Sequence, residues 1–344
     1  MRGFPVEVSP EAAAAHEAAL VLDLHNDVLT KLTHMPGYDF SREHAPATFY
    51  NPLRLDLDLP RIRRGGIDAL GCLMFAGFRF DKSRNRFWRQ LDCARALAQR
   101  HPDAIALART ADDIRAARAS GRLALFLGVE GSYAIDDDVA GGVARLAEAG
   151  VRFLGPLWER DSRSGTSCRT AADRDRGLTD HGRGLVRACN EAGLLLDVSH
   201  ASKKTFWDMM EVSTTPPFSS HSGAEGVHPH PRNLDDDQIR AVAQRGGCVG
   251  IIFAKQFLGG ASIEAVVDHI AHVIDVAGED APALGSDFDG FVVPPEGLED
   301  IAAMPNLTVA LSRRGIAPRV LEKILGGNVL RVLDAVPRLG RLAA

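Results

Sequence analysis

Residues 193–222 read GLLLDVSHASKKTFWDMMEVSTTPPFSSHS, and two histidines in this stretch decide how the rest of the chain is read. An apolar run over 194–198 leads into Asp197-Val198-Ser199-His200. A helix-period stretch follows over 204–211, and a second run over 217–220 leads into Ser219-Ser220-His221-Ser222. Short, continuously apolar runs suit strands buried on both faces. A strand, a helix and a second strand in that order form a parallel unit with a helical crossover. One helix and one strand separate His200 from His221, so the two stand at equal depth on adjacent staves.

The same alternation continues in both directions. Further apolar runs fall at 19–24, 69–75, 123–129, 151–157, 248–253 and 283–286, with helix-period segments at 87–100, 139–149, 184–192, 235–245 and 262–277. Gly150, Gly193, Gly246 and Gly278 each stop a helix just before the next strand, the usual C-terminal signal. Eight strands in strict alternation predict a (β/α)8 TIM-type barrel with long active-site loops. The competing doubly wound sheet requires a glycine-rich phosphate turn after its first strand, and LDLHNDVL (22–29) is not one. Nothing divides the chain, so residues 1–344 are expected to form a single domain. Residues 1–20 form an N-terminal helical extension in which Ser9-Pro10-Glu11 reads as N-cap and first turn. Two stretches, 33–55 and 159–177, read as long loops. The second follows the fourth strand and is expected to overhang the catalytic mouth.

Composition narrows the function classes. With 45% apolar residues the chain can bury a large core, and its formal charge of −5 carries no basic stripe suited to nucleic acid. The five cysteines are unpaired in spacing, which fits reduced thiols. The N-terminus lacks a cationic start followed by an apolar core, no apolar run approaches membrane-spanning length, and the terminal RLGRLAA is too short and basic for a cleaved anchor. A soluble cytoplasmic protein without membrane or nucleic-acid partners is expected.

The chemistry sits at the strand ends. Besides His200 and His221, the first strand leads into His25-Asn26-Asp27, the third into Val129-Glu130-Gly131 and the eighth into Ser286-Asp287-Phe288-Asp289. A barrel gathers all its strand C-termini on one catalytic rim, so these separated residues are expected to meet. Imidazoles and carboxylates without thiolates suit zinc, and also manganese, iron or cobalt. His25 and Asp27 are assigned to one ion, His200 and His221 to the other, and Glu130 bridges. Ions roughly 3.5–4 Å apart hold a bridging hydroxide and polarise a carbonyl. Asp287 is left for proton transfer, with Asp23 and Asp197 orienting their neighbours.

These residues are embedded in LHNDVL, GVEGSYAI, GVRFL, GLTDHGRGLVRACNEAGLLLDVSHAS, PFSSHSGAEGVHPHPRNLDDDQIRAVAQRGG, GSDFDG and GNVLRVLDAV. With them the chain resembles, from about Leu22 to Val336, the membrane (renal) dipeptidase family, zinc dipeptidases related to the amidohydrolase barrels. The resemblance implies the same metal assignment, with two Zn2+ as cofactor. It makes Asp287, rather than Asp289, the acid/base, and leaves Asp289 to cap the following segment. It also implies that Arg232 clamps the terminal carboxylate of a dipeptide-like substrate, and that a homodimer is the assembly to look for. One departure stands out. Where the resemblance expects a histidine after the fourth strand, in a GVRY-x-TLTH-like run, this chain has Trp158. That histidine stabilises the oxyanion, and one lost donor costs on the order of 10²–10³ in rate. Arg160 and Arg163 are the loop cations available to replace it. Three functions follow in order: a metal-dependent dipeptidase, including for D-configured or small C-terminal residues; a barrel hydrolase of lactones or N-acyl amino acids; and a metal-binding homologue without peptidase activity.

Overall fold

Nine parallel strands carry the architecture, in a computed structural model that describes residues 10–35, 38–44, 55–75 and 80–336. They are β1 (Leu22–Asn26), β2 (Ala69–Phe75), β3 (Ile105–Ala108), β4 (Leu123–Glu130), β5 (Phe153–Gly155), β6 (Leu195–Asp197), β7 (Pro217–Ser222), β8 (Val249–Ile251) and β9 (Pro282–Leu284). Pairing runs β1-β2-β4-β5-β6-β7-β8-β9 and returns to β1, which closes an eight-stranded parallel barrel. Among the described residues no helix is long and apolar enough to cross a membrane.

The barrel has the eight strands expected from the sequence, and β3 is an addition to them. β3 pairs with residues 123–126 of β4, while β5 pairs with residues 128–130, so β3 is an extra stave beside the lower half of β4. Its IALA has Leu107 open to solvent, and four residues are too few to show a strand periodicity. The helix that follows, Ala111–Ala119, has a full capping box between Thr110 and Asp113. Elsewhere the predicted elements fall in place with ends shifted by a few residues. Gly150, Gly193, Gly246 and Gly278 all hold positive φ after a helix. The N-terminal helix spans Pro10–Ala18; Ser9, most of the loop predicted over 33–55, and RLGRLAA lie outside the described residues.

Two apolar layers explain why the barrel closes around its rim. Leu125, Leu127 and Val129 of β4 belong to the shell between barrel and helices, whereas Phe126 belongs to the inner set with Phe153 and Phe218. Phe126 stacks on Phe153 at 5.1 Å, and Phe153 meets Phe218 edge-on at 5.2 Å across the intervening β6. These rings form a floor. A Cβ at Gly128 would lie 2.2 Å from the Phe153 ring, so glycine there lets the ring under the rim. Side chains alternate along a strand, so Phe126, Gly128 and Glu130 share the inward face as floor, gap and functional group.

β7 departs from this alternation. Phe218 points inward, so strict alternation would put Ser220 inside and turn His221 out. The register against β8 shifts between Ser219 and Ser222, and such an irregularity re-aims a side chain. β1 shifts likewise between Asp23 and Asn26, around His25.

Close backbone approach at this end yields a stability prediction. A Cβ at Gly285 would lie 1.9 Å from the Ser220 carbonyl oxygen, whereas one at Gly184, in the helix Asp180–Ala192, meets nothing within 4 Å. Gly285→Ala is expected to lower unfolding free energy by about 1–3 kcal/mol in a urea titration. Gly184→Ala is expected to raise it by about 0.5–1 kcal/mol. Equal effects would contradict the packing described.

Candidate metal centre

Five staves deliver the site. His25 lies near the end of β1, with Asp27 just beyond that strand, and Glu130 is the last residue of β4. His221 lies near the end of β7. His200 lies three residues past β6 and Asp287 three past β9, and both hold left-handed backbone, φ 64° and 61°. The Asp287 amide donates to the His25 carbonyl at 2.9 Å and the Asp27 amide to the Phe288 carbonyl at 2.9 Å, which stitches the ends of β1 and β9 together.

The residues singled out from the sequence converge. Glu130 Oε1 lies 3.0 Å from His200 Nε2, 3.4 Å from His221 Nε2 and 3.8 Å from His25 Nε2. His25 Nε2 is 3.7 Å from Asp27 Oδ2 and 3.6 Å from Asp287 Oδ1. Two ligand groups emerge, Glu130–His200–His221 and His25–Asp27–Glu130, with Glu130 common to both. A third grouping, His25–Asp197–His221, is interrupted by the Ser220 hydroxyl, which touches all three.

Three observations fit a cation. His25 Nε2 and Glu130 Oε1 are buried with no hydrogen-bond partner among the described residues. His200 Nε2 and His221 Nε2 face each other at 3.0 Å, a contact two neutral lone pairs do not make without a proton or cation between them. The donor set of imidazoles and carboxylates is that of borderline divalent ions. The electrostatics agree. Burial first, then Asp27, pushes the Asp287 carboxyl well above its usual range, and Glu130 is raised by burial, Asp27 and Asp287. Burial lowers His200 and His221 well below the imidazole range, helped by Arg232 and His25 respectively. Neutral imidazole is the ligating form.

The supporting residues divide as follows. Asp23 accepts from the Ser286 amide at 2.8 Å and hydroxyl at 2.7 Å, and burial pushes it up to about 6. Asp197 accepts from the Ser199 and Ser220 amides at 3.0 and 2.9 Å. Asp289 does not cap the segment after it. It accepts from the Asp56 amide at 2.9 Å, and its own amide donates to Asp56 Oδ2 at 3.0 Å. Arg232 is buried; its guanidinium donates to the His221 carbonyl at 2.9 Å and lies 3.3 Å from His200 Nε2. With His200, Ser222, His230, Cys168 and Arg169 it lines a cavity of about 520 Å³. The last two come from the 159–177 loop, which therefore does border the mouth.

Trp158 packs on Phe75 at 4.5 Å, with its ring 6.3 Å from that of His200. Of the two loop cations, Arg163 pairs with Asp137 at the surface and Arg160 is exposed. The loop residue that reaches the ligands is Glu159, which the sequence reading passed over. Its Oε1 lies 3.6 Å from His200 Nδ1 and its Oε2 2.9 Å from Arg169 Nε. Its only sequence signal was its place next to Trp158 at the start of the loop. Ser220 was passed over as well, one serine among several.

Comparison with known proteins agrees with this geometry. Residues 10–343 match the family described as membrane dipeptidase, peptidase family M19. An uncharacterised protein in the pqqA 5′ region of Klebsiella pneumoniae is 37% identical over 260 residues, 72% of this chain and 95% of that protein. Dipeptidase tcpJ of Claviceps purpurea is 34% identical over 254 residues, 72% of this chain but 59% of that longer protein. A metallopeptidase of Rhodobacter sphaeroides, solved with a phosphinate mimic of the dipeptide L-Ala-D-Ala, superposes with a TM-score of 0.84 at 27% identity, covering 93% of this chain and 99% of that one. With this fold, these ligand groups and a match across nearly its whole length, the chain belongs to the membrane dipeptidase family of metallopeptidases, peptidase family M19.

Proposed function

We propose that the chain hydrolyses the peptide bond of dipeptides, including those with a D-configured or small C-terminal residue, using two divalent ions, with zinc the natural fit. His25 and Asp27 would hold one ion, His200 and His221 the other, and Glu130 would serve both. The observation that carries the reading is the convergence of three imidazole nitrogens on Glu130 Oε1 within 3.8 Å. Bound ions supply Lewis acidity at the scissile carbonyl and an activated water.

The chain's own residues do the rest. Asp287 Oδ1 lies 3.6 Å from His25 Nε2, which places a carboxyl at the rim where it can pass a proton to a leaving amine. Arg232 is held in place by the His221 carbonyl, and its Nε has no hydrogen-bond partner among the described residues. It is suited to clamp a substrate carboxylate at the wall of a cavity whose volume fits a dipeptide. The ligand of the Rhodobacter metallopeptidase supports including D-residues among the substrates.

A second reading rests on Trp158. An indole packed against Phe75 makes that wall apolar where the resemblance expects an imidazole, which favours a lactone or an N-acyl amino acid as the better substrate.

A panel of dipeptides, D-containing dipeptides, lactones and N-acyl amino acids discriminates. Turnover of dipeptides is expected, lost on chelation and restored by zinc, manganese or cobalt. A metal-loaded protein that leaves every dipeptide intact would refute the proposal, and faster lactone turnover would favour the second reading. Asp287→Asn is expected to lower kcat by roughly 10²–10⁴-fold at unchanged metal content. Arg232→Ala is expected to raise KM by roughly 10–100-fold, the equivalent of one charge-assisted hydrogen bond, with kcat much less affected.

A further inference from the structure

The Ser220 hydroxyl occupies an unusual position. It donates to Asp197 Oδ2 at 2.6 Å and lies 2.9 Å from His25 Nδ1 and 2.8 Å from His221 Nδ1. A serine hydroxyl has one proton and two lone pairs. The proton is committed to Asp197, because that carboxylate is a pure acceptor. Its other oxygen already takes the amides of Ser199 and Ser220. Both remaining contacts must then be filled by donors, and the nearest are the two imidazoles.

We infer that Ser220, held by Asp197, is a positioning residue that fixes His25 and His221 together as Nδ1–H tautomers, so that both present a bare Nε2 to the rim. One hydroxyl thereby sets the protonation pattern of imidazoles from two strands, one in each ligand group. The packing is consistent with this shared anchor: the two rings lie 3.6 Å apart, tilted by 38°. Ser199 Oγ, at 3.3 Å the longest contact of Ser220, is separately engaged by the His221 amide and Ser219. His200 is outside this arrangement, since its Nδ1 faces Glu159 instead. The inference concerns the apoprotein's rings and rests on the two-ion reading only for its consequence in binding.

The orientation makes Asp197→Asn informative. An amide NH₂ turned toward Ser220 reverses the hydroxyl. The hydroxyl then accepts from the introduced amide and donates to one imidazole, forcing that ring to carry its proton on Nε2.

The test is 15N NMR of histidine-labelled, metal-free protein at roughly pH 8, above the ordinary imidazole range, beside competition titrations with zinc and cobalt. In the unsubstituted protein both buried rings are expected to be protonated at Nδ1; Nε2 protonation of either ring overturns the inference. Ser220→Ala is expected to weaken binding at both sites by about 10–100-fold, beside a loss of stability read separately from the urea midpoint of the metal-free protein. Asp197→Asn is expected to flip one ring and weaken mainly that ring's site. Unchanged affinity in a folded Ser220→Ala also overturns it. If that variant does not fold, the tautomers of the unsubstituted protein still decide. A chain with both rings in the expected state that binds a single ion would refute the two-ion reading and leave this one standing.

Discussion

Glu130 Oε1 is surrounded by three imidazole nitrogens within 3.8 Å, in a residue only 4% exposed. A carboxylate withdrawn that far from water is costly unless something offsets its charge, and imidazoles held neutral by burial offset little. The carboxyls of Asp27 and Asp287 crowd the same space around His25. Such an array is stable when it shares protons or encloses cations. Because its members come from β1, β4, β7 and the segments after β6 and β9, every one of those strands must keep its register for the balance to hold. A slip by a single residue reverses the face each side chain presents.

The backbone around the site bears local strain. His200, Asp287, Asp289 and Phe291 hold left-handed conformations without being glycine, at a cost on the order of 1–3 kcal/mol each. Two of the four are the ligand and acid/base candidates that lie beyond their strands. A glycine makes room for them: a Cβ at Gly290 would meet Asp287 Oδ1 at 2.0 Å and Asp27 Oδ2 at 2.8 Å. The 285–290 stretch, Gly-Ser-Asp-Phe-Asp-Gly, thus combines space at both ends with strained turns between.

What could be read in advance follows from the range of each signal. Strand–helix alternation and terminal glycines are local and periodic, so the barrel and its polar strand ends were legible, as was the pairing of His200 with His221. β3 was not, because four residues, buried at both ends with Leu107 exposed, are too few to carry a period. Ser220 escaped because its role depends on Asp197 and His25, residues 23 and 195 positions away. Asp289 was misread for a similar reason: a cap is the local interpretation, whereas its partner Asp56 sits 233 residues earlier. Glu159 was not legible because a single anion at a loop start carries no motif, and its contacts, His200 and Arg169, lie 41 and 10 positions away.

That anion alters how the Trp158 departure is understood. His200 has carboxylates on both sides, Glu130 at 3.0 Å from Nε2 and Glu159 at 3.6 Å from Nδ1, and the second is partly offset by Arg169 at 2.9 Å. Indole, carboxylate and guanidinium in series do not reproduce an imidazole. Glu159 is too far from Nδ1 for a hydrogen bond, and that nitrogen has no partner among the described residues, so the carboxylate acts on His200 only through its charge, whereas an indole N–H offers a developing oxyanion one uncharged hydrogen bond. On the two-ion reading, the change at this strand end therefore alters the wall beside His200 and leaves the ligand residues in place. The ligands belong to one set of strand ends and this wall to another, β5 and its loop. A barrel built this way can change the wall beside its site while keeping its ligand residues.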